Sequence, residues 1–468
     1  MVSSTSASGE EELTRSGNYR KKLLIAFGFT GAASSMLFLL VVPKIYLFGP
    51  LLVVIGVTCL GSSFVLLNSF LPLLVANHPL IQSRTGQFNN ESPSIPLESM
   101  SRNRDSTEDR SYSRATIDAK STTAELQLSS NISSRGVGIG YCAAVFVQVL
   151  SIVILYILSK KNVSSTLPLR LVLFMVGLWW FAFTIPSIYY LRPRPGPPLP
   201  TTSHRGRLRS LLAYLSFAWL SVFRTVKLAF QLRQMVVFLI AWFLLSDAVA
   251  TVSGTAILFA RTELKMGTVP IALLSITATS SGIAGAFIWP ILSRRFRLAT
   301  NRTIVACILL MEIVPLYGLL GYVPFIQAWG VGGLQKAWEI FPLAFIYGFV
   351  MGGLSSYCRS FFGLLIPPGS EAAFYALYAI TDKGSSAVGP AVVGMIVDRT
   401  GSIRPAFVFL TVLIALPAPL VWMVDAKKGQ VDAVRMARVI GKIGDAEVDV
   451  NGVVDGIQES EGLMRDHD

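Results

Sequence analysis

Apolar and polar stretches alternate along this chain over distances far longer than a helix turn or a strand pleat. Ten apolar runs can be drawn, at residues 23–42, 47–71, 137–158, 171–190, 236–260, 269–292, 303–323, 339–357, 374–397 and 406–424. Each is close to the ~20 residues that a helix needs to cross the hydrocarbon of a bilayer. Backbone groups in lipid have no water to bond, so such runs are satisfied as helices. The expected fold is an all-α polytopic membrane protein, with four spans before a polar linker and six after it.

The segments between the runs divide the chain into parts. Residues 1–19 are polar and lack the apolar core of a signal peptide. Arg20, Lys21 and Lys22 introduce a first helical bundle over 20–190. Inside it, 77–134 is a long loop rich in Ser, Asn, Arg and Thr, a composition that predicts disorder. Residues 191–234 form a linker opening on RPRPGPPLP, where the proline density forbids helix. Farther along, Leu208, Leu211, Leu212, Leu215, Trp219, Val222, Phe223 and Val226 repeat at helical spacing. Arg209 and Arg224 bracket only 14 uncharged residues, too few to cross a bilayer. That pattern predicts an amphipathic helix on the membrane surface, with a short eleventh span as the alternative. A second bundle occupies 235–424, and the tail 425–468, mixed in charge, is expected to be exposed.

Composition narrows the classes. Of 468 residues 52% are hydrophobic and 14% charged, with a mean hydropathy of +0.58; soluble chains carry about 25% charged residues. The net charge of +13 would suggest nucleic acid in a soluble protein. Here the basic residues flank the apolar runs, where topology and anionic headgroups account for them. The bilayer is the expected partner and nucleic acid is not. Cys59, Cys142, Cys307 and Cys358 lie singly in or beside four different runs, which excludes a CxxC site and argues against a disulfide framework. His78, His204 and His467 sit in loops or the tail, and no GxxxxGK[ST] phosphate loop is present. The chain is therefore expected to be neither an enzyme nor an ATP-driven pump, and to use no metal or cofactor.

Ionisable side chains at membrane depth are costly, and they either mark a solute path or pair with one another. The stretch SSYCRSFFGLLIPPGSEAAFYALYAITDKGSSAVGP, residues 355–390, carries Arg359, Glu371, Asp382 and Lys383. Its IPPG turn should end one helix. Ser370 is expected to cap the next, with Glu371 at the positive end. Tyr375, Tyr378 and Asp382 then share a face. Asp382 and Lys383 are neighbours pointing about 100° apart, so each is expected to need a partner on another helix. Asp247, in LLSDAVATVSG, has Thr251 and Gly254 on its own face. A buried carboxylate among hydroxyls can hold an α-ammonium group or carry a coupling proton; equally, it can pair with Arg359 or Lys383 for packing alone. Glu312, in ILLMEIVPLYG, is another buried acid, with Pro315 placed to kink its helix. Gly348, Gly352 and Ser356 recur every four residues, the mark of a close-packed seam. The candidate substrate or proton path is thus Asp247, Thr251, Arg359, Tyr378, Asp382 and Lys383, with Glu312 and Glu371 as secondary members. Arg359 is expected to pair with Asp247 or Asp382.

Basic clusters precede both the first run (YRKKLLIAFGF) and the seventh (SRRFRLATNRTIVACILL). Aligning them makes the first bundle the counterpart of the last four spans, and leaves two front spans without an equivalent. Parallel six-helix halves joined by a linker are the plan of major facilitator transporters. More specifically, RPRPGPPLP after a Trp-Trp span, WFLLSDAVATVSGTAILFA, and YCRSFFGLLIPPG leading into ALYAITDKGSSAVGP resemble the autophagy-related protein 22 family, over about 20–424. The resemblance implies a major facilitator-like two-bundle fold, here with about 10 helices (4 + 6) instead of 12, in the vacuole membrane. It also implies export of neutral amino acids, leucine among them, from the lumen to the cytosol during autophagy. The acidic lumen of a vacuole would make protons the candidate coupling ion. In GAFIWPILSRR, Arg294 stands where the general major facilitator loop motif has an acid. The rival reading is a transport-inactive membrane protein with an interaction or regulatory role, which the two missing front spans favour.

Lys and Arg near the span ends number 23 on the side of the amino terminus and long loops, against 9 on the other. The positive-inside rule then places both termini in the cytosol. Sequons at Asn90, Asn131 and Asn301 fall on that side, and only Asn162 on the other. Epitope tags inserted near Thr116 and after Asp468 should therefore both be digested by protease added to sealed, intact vacuoles. Protection of either tag would overturn this orientation.

Overall fold

A computed structural model describes residues 19–42, 45–79, 106–159, 166–191 and 207–440. The tail up to residue 18, positions 80–105 of the long loop, the RPRPGPPLP stretch, Asn162 and everything from residue 441 lie outside the described residues. The described elements are helical. The first bundle comprises α1 (Tyr19–Leu37), α2 (Phe48–Ala76), α3 (Ser106–Ser159) and α4 (Leu167–Tyr190). After α5 (Arg207–Gln231), the second bundle contains α6 (Arg233–Thr262), α7 (Thr268–Arg295), α8 (Thr300–Met311), α9 (Ile313–Leu319) and the short α10 (Pro324–Trp329). It continues with α11 (Ile340–Leu365), α12 (Glu371–Ser385), α13 (Val388–Thr400), α14 (Ala406–Ala415) and α15 (Pro417–Met423). A further helix, α16, runs over 426–440.

Among the described residues nine helical segments are long and apolar enough to span a bilayer, where the sequence pattern predicts ten. The difference lies in run 374–397. It breaks at Ser386-Ala387 into α12 and α13, of 15 and 13 residues, each short of the ~20 a span requires. Pro390 gives the reason: its ring excludes the carbonyl four residues back, that of Ser386, from a continuous helix, and it has no N–H to donate. The same rule separates α8 from α9, since Pro315 lies four residues after Met311. The other nine runs become helices within a few residues of their expected bounds, apart from the starts of the third and the ends of the eighth.

The third run differs for a tertiary reason. Helix α3 starts at Ser106, and its membrane-length segment covers Glu125–Leu158, so residues 106–134 are helix where the composition predicts a disordered loop. Leu126, Ser129, Ser130, Ser133 and Ser134 are buried, and the small serine side chains let α3 lie close to α7 and α11 of the second bundle. The tail also departs from expectation. Instead of being exposed throughout, α16 folds back: the Asp425 amide donates to Gln234 Oε1 (2.9 Å), Gln430 Nε2 donates to Glu125 Oε2 (2.9 Å), and Ala433 is buried. Helix α5 exposes Trp219, Leu220 and Phe223 while burying Thr225 and Ala229, the two-faced profile of an interfacial helix.

Helix α6 runs through the middle of the second bundle, touching α12, α13, α14 and α15. Aromatic rings fill the space around it, with Phe238 5.2 Å from Phe361 and Phe362 4.9 Å from Tyr378. Helices α7 and α11 pack backbone to backbone. A Cβ on Gly348 would strike the Ala278 carbonyl, and one on Gly352 the Gly282 carbonyl. Contacts this close come from small residues at the seam. Gly352→Leu should therefore destabilise the purified protein by about 1–3 kcal/mol or more, read as a lower melting temperature; an unchanged melting temperature would contradict the seam.

Candidate functional site

A helix that stops inside an apolar bundle leaves carbonyls at one end and amides at the other without partners. The break between α12 and α13 is of this kind, and two consecutive residues of α6 serve its two sides. Ser246 Oγ lies 2.5 Å from Asp382 Oδ1 and 3.0 Å from the Asp382 carbonyl oxygen, and donates to one of them at a time. Asp247 Oδ1 accepts the amide of Gly389, in the first turn of α13, at 2.9 Å. This is an N-cap bond supplied from another helix, with a carboxylate at the positive end of the helix dipole. Neighbours on a helix diverge by about 100°, which is why Ser246 reaches one side of the gap and Asp247 the other. Asp247 is only 3% exposed. A Cβ on Gly389 would meet Thr251 Oγ1 and both Asp247 oxygens, so a side chain here would have to displace them. The Thr251 hydroxyl donates to the Asp247 carbonyl (2.6 Å), so it packs the site wall and caps its own helix turn.

Aromatic rings hold α12 against this cluster. Tyr378 stacks between Trp242 (4.6 Å, 14° between planes) and Phe362 (4.9 Å, 28°). The Trp242 indole N–H is buried and has no partner among the described residues, so an unused donor sits beside the tyrosine. Arg359 is on α11, with its guanidinium 4.9 Å from the centre of the Phe64 ring on α2, a cation–π arrangement. Tyr141, Tyr375 and Tyr378 surround it, and the Tyr375 hydroxyl donates to the Arg359 carbonyl (3.2 Å).

These positions correct three expectations. Arg359 pairs with neither Asp247 nor Asp382: the ion pairs among the described residues are Arg20–Glu371 and Lys383–Asp382. Aromatic faces and hydroxyls occupy the ground where an acid was expected. Lys383 finds no partner on another helix either. Its ammonium bends back to Asp382 Oδ2 (3.0 Å) while its side chain stays 84% exposed, which the flexible four-carbon stem permits near a helix end. Ser370 does not cap α12 with its side chain. Instead Glu371 turns back, with Oε1 accepting the Gly369 amide (2.8 Å) and Oε2 3.8 Å from Arg20 Nη1.

The break thus gathers Asp247, Thr251, Asp382 and Lys383, with Tyr378 stacked alongside. Arg359 belongs to the interface with α2. Glu371 belongs to the turn after α11. Glu312 stands apart at the α8–α9 kink, both carboxylate oxygens buried without a hydrogen-bond partner among the described residues. Sequence reasoning missed Ser246, Gly389 and Trp242. The usable signal was Pro390, which marks a break, together with the adjacent Ser246-Asp247 pair able to serve both sides of one.

Residues 14–434 match the family described as Vacuole effluxer Atg22 like. The chain is 63% identical over 463 residues to Autophagy-related protein 22 of Botryotinia fuckeliana, covering 97% of this chain and 77% of that protein. It is 64% identical over 463 residues to Autophagy-related protein 22-1 of Sclerotinia sclerotiorum, with the same two shares covered. Among solved structures, a bacterial homologue of the iron transporter ferroportin in an outward-facing state is similar at a TM-score of 0.41 and 13% identity, over 86% of this chain and 98% of that one.

Removing the acceptor should uncap α13. Asp247→Ala should destabilise the purified protein by about 1–3 kcal/mol, the penalty of an unsatisfied buried amide. Asp247→Asn, which keeps an acceptor oxygen, should cost less. Thermal melting in detergent reads the series, and a neutral Asp247→Ala would refute the cap.

Proposed function

Because the chain belongs to the Vacuole effluxer Atg22 like family, we propose that it exports neutral amino acids, leucine among them, from the vacuole lumen to the cytosol. Membership makes it a multi-pass protein of the vacuole and a transporter in kind rather than an enzyme. The observation that carries the finer reading is the broken helix at the α12–α13 junction. Discontinuous helices at membrane depth are where transporters present backbone groups and charges to a solute. A zwitterion sheds its water only where both charge signs replace it. Asp247 and Asp382 supply the negative sign, Lys383 and Arg359 the positive, and Thr251 and Tyr378 complete the set. The cap bond to Gly389 engages one oxygen of Asp247 and leaves the other as an acceptor. In this reading the two bundles are the halves of a major facilitator-like exporter, both termini are cytosolic, and protons are the candidate coupling ion.

One observation favours a second reading of Asp247. Its bond to Gly389 is a sufficient structural reason for the residue, with no part in binding. Isolated vacuoles preloaded with labelled leucine separate the cases, comparing wild type, Asp247→Asn and vacuoles lacking the protein. Efflux from wild type alone is the expected result. Equal efflux from all three would reject the transporter, whereas loss only in the null would keep the transporter and move its site away from Asp247.

A further inference from the structure

Among the described residues, several polar links between the two bundles lie toward one end. Arg20 lies in the first turn of α1, Glu125 begins the spanning part of α3, Glu371 begins α12, and Gln430 lies on α16. All four sit at the same end of the bundle. There Arg20 Nη1 lies 3.8 Å from Glu371 Oε2, with the two side chains only 4% and 6% exposed. Gln430 Nε2 donates to Glu125 Oε2 at 2.9 Å. Deeper on the same side, the hydroxyls of Ser134 and Ser356 are 2.8 Å apart and buried. Nine residues along α3 separate Glu125 from Ser134, about 13 Å of helix. Each of these links joins the first bundle to an element of the second. Toward the other end of α3, Gln148 Nε2 donates to Ser275 Oγ at 3.3 Å, and that bond is exposed.

We infer that the end carrying Arg20–Glu371, Glu125–Gln430 and Ser134–Ser356 is the closed gate of the transport path, and that α16 forms part of it. The inference rests on the transporter reading above. Helix α16 is tied to the second bundle through the Asp425 amide on Gln234 and through Gly429 against Leu365. It therefore travels with that bundle, and Gln430 is its tie across to the first. The ion pair is suited to a contact that must release. At 3.8 Å it is long, and the buried Arg20 Nε has no hydrogen-bond partner among the described residues, so separation returns an under-satisfied cation to water. A cavity of about 300 Å3 lies among the links, lined by Pro72, Glu125, Ser129, Ser360, Glu371 and Gln430 among others. With both termini in the cytosol, this is the face where cargo leaves.

A disulfide tests whether the contact must open. The hydroxyl oxygens of Ser134 and Ser356 are close enough for cysteines there to approach the ~2.05 Å bond of a cystine. The double variant Ser134→Cys/Ser356→Cys, with a protease site placed within 192–206, reports the cross-link as halves that stay joined on a non-reducing gel. Oxidation of vacuoles should cut leucine efflux at least tenfold, and reductant should restore it. Either single variant, which keeps native Cys142 and Cys358, should be unaffected. Undiminished efflux from a fully cross-linked pool would overturn the gate while leaving the transporter intact. A readout independent of transport covers the case in which wild-type vacuoles show no efflux. In purified protein, maleimide should label Ser129→Cys severalfold faster when Arg20→Gln and Gln430→Ala are added; equal rates would overturn the gate.

Discussion

A backbone interrupted inside hydrocarbon has to find partners for the carbonyls and amides it frees, and the second bundle is built around one such interruption. Pro390 disfavours a continuous helix through 374–397, and α12 and α13 meet end to end at Ser386-Ala387. Helix α6 answers the need with adjacent side chains, Ser246 toward the end of α12 and Asp247 toward the start of α13. Both contacts require α6 to run at close quarters past the gap, and a bare Gly389 is what lets it. The central place of α6, the stacking of Trp242 on Tyr378 and the burial of Asp247 all follow from that approach.

One helix connects this break to the end of the bundle that carries Arg20. Helix α12 has Glu371 at its start, on the Arg20 contact, and Asp382 near its end, on Ser246. Its 15 residues span about 22 Å, and the aromatic stack fixes it to α6 and α11 along the way. A displacement of the first bundle that parts Arg20 from Glu371 acts on the same rod that carries Asp382. Arg359, on α11 but seated over Phe64 of the first bundle, stands between these two points as a cation held by rings instead of by an acid. Such a contact can be parted without leaving a bare carboxylate behind.

The lengths of the apolar runs made most of the fold legible, because bilayer thickness is a strict ruler and nearly every run obeys it. What escaped was tertiary. Residues 106–134 look like a loop by composition, yet Ser129, Ser130, Ser133 and Ser134 are helical because small side chains suit a close approach to the second bundle. The Glu125–Gln430 bond joins residues 305 apart in sequence, beyond the reach of any local pattern. The acidic residues of the candidate site were visible as costly charges at membrane depth; their partners were not. Periodicity gives the face a side chain occupies but not what lies opposite, so Arg359 was matched to an acid where the fold supplies Phe64. Glu371 was matched to a helix N-terminus, and Arg20, from α1, was the partner left unseen. The break itself was readable from Pro390, but the apolar run continues across it and conceals it.

Hydrogen–deuterium exchange over residues 386–400 of the purified protein tests the central claim most directly, namely that Asp247 holds the start of α13 in place. In the wild type the Gly389 amide is bonded and buried, so the segment should exchange slowly. Asp247→Ala should accelerate exchange in the first turn of α13 at least tenfold, with the rest of α6 and α7 unchanged, and Asp247→Asn should fall between the two. Equal protection of that turn in all three proteins would contradict the account.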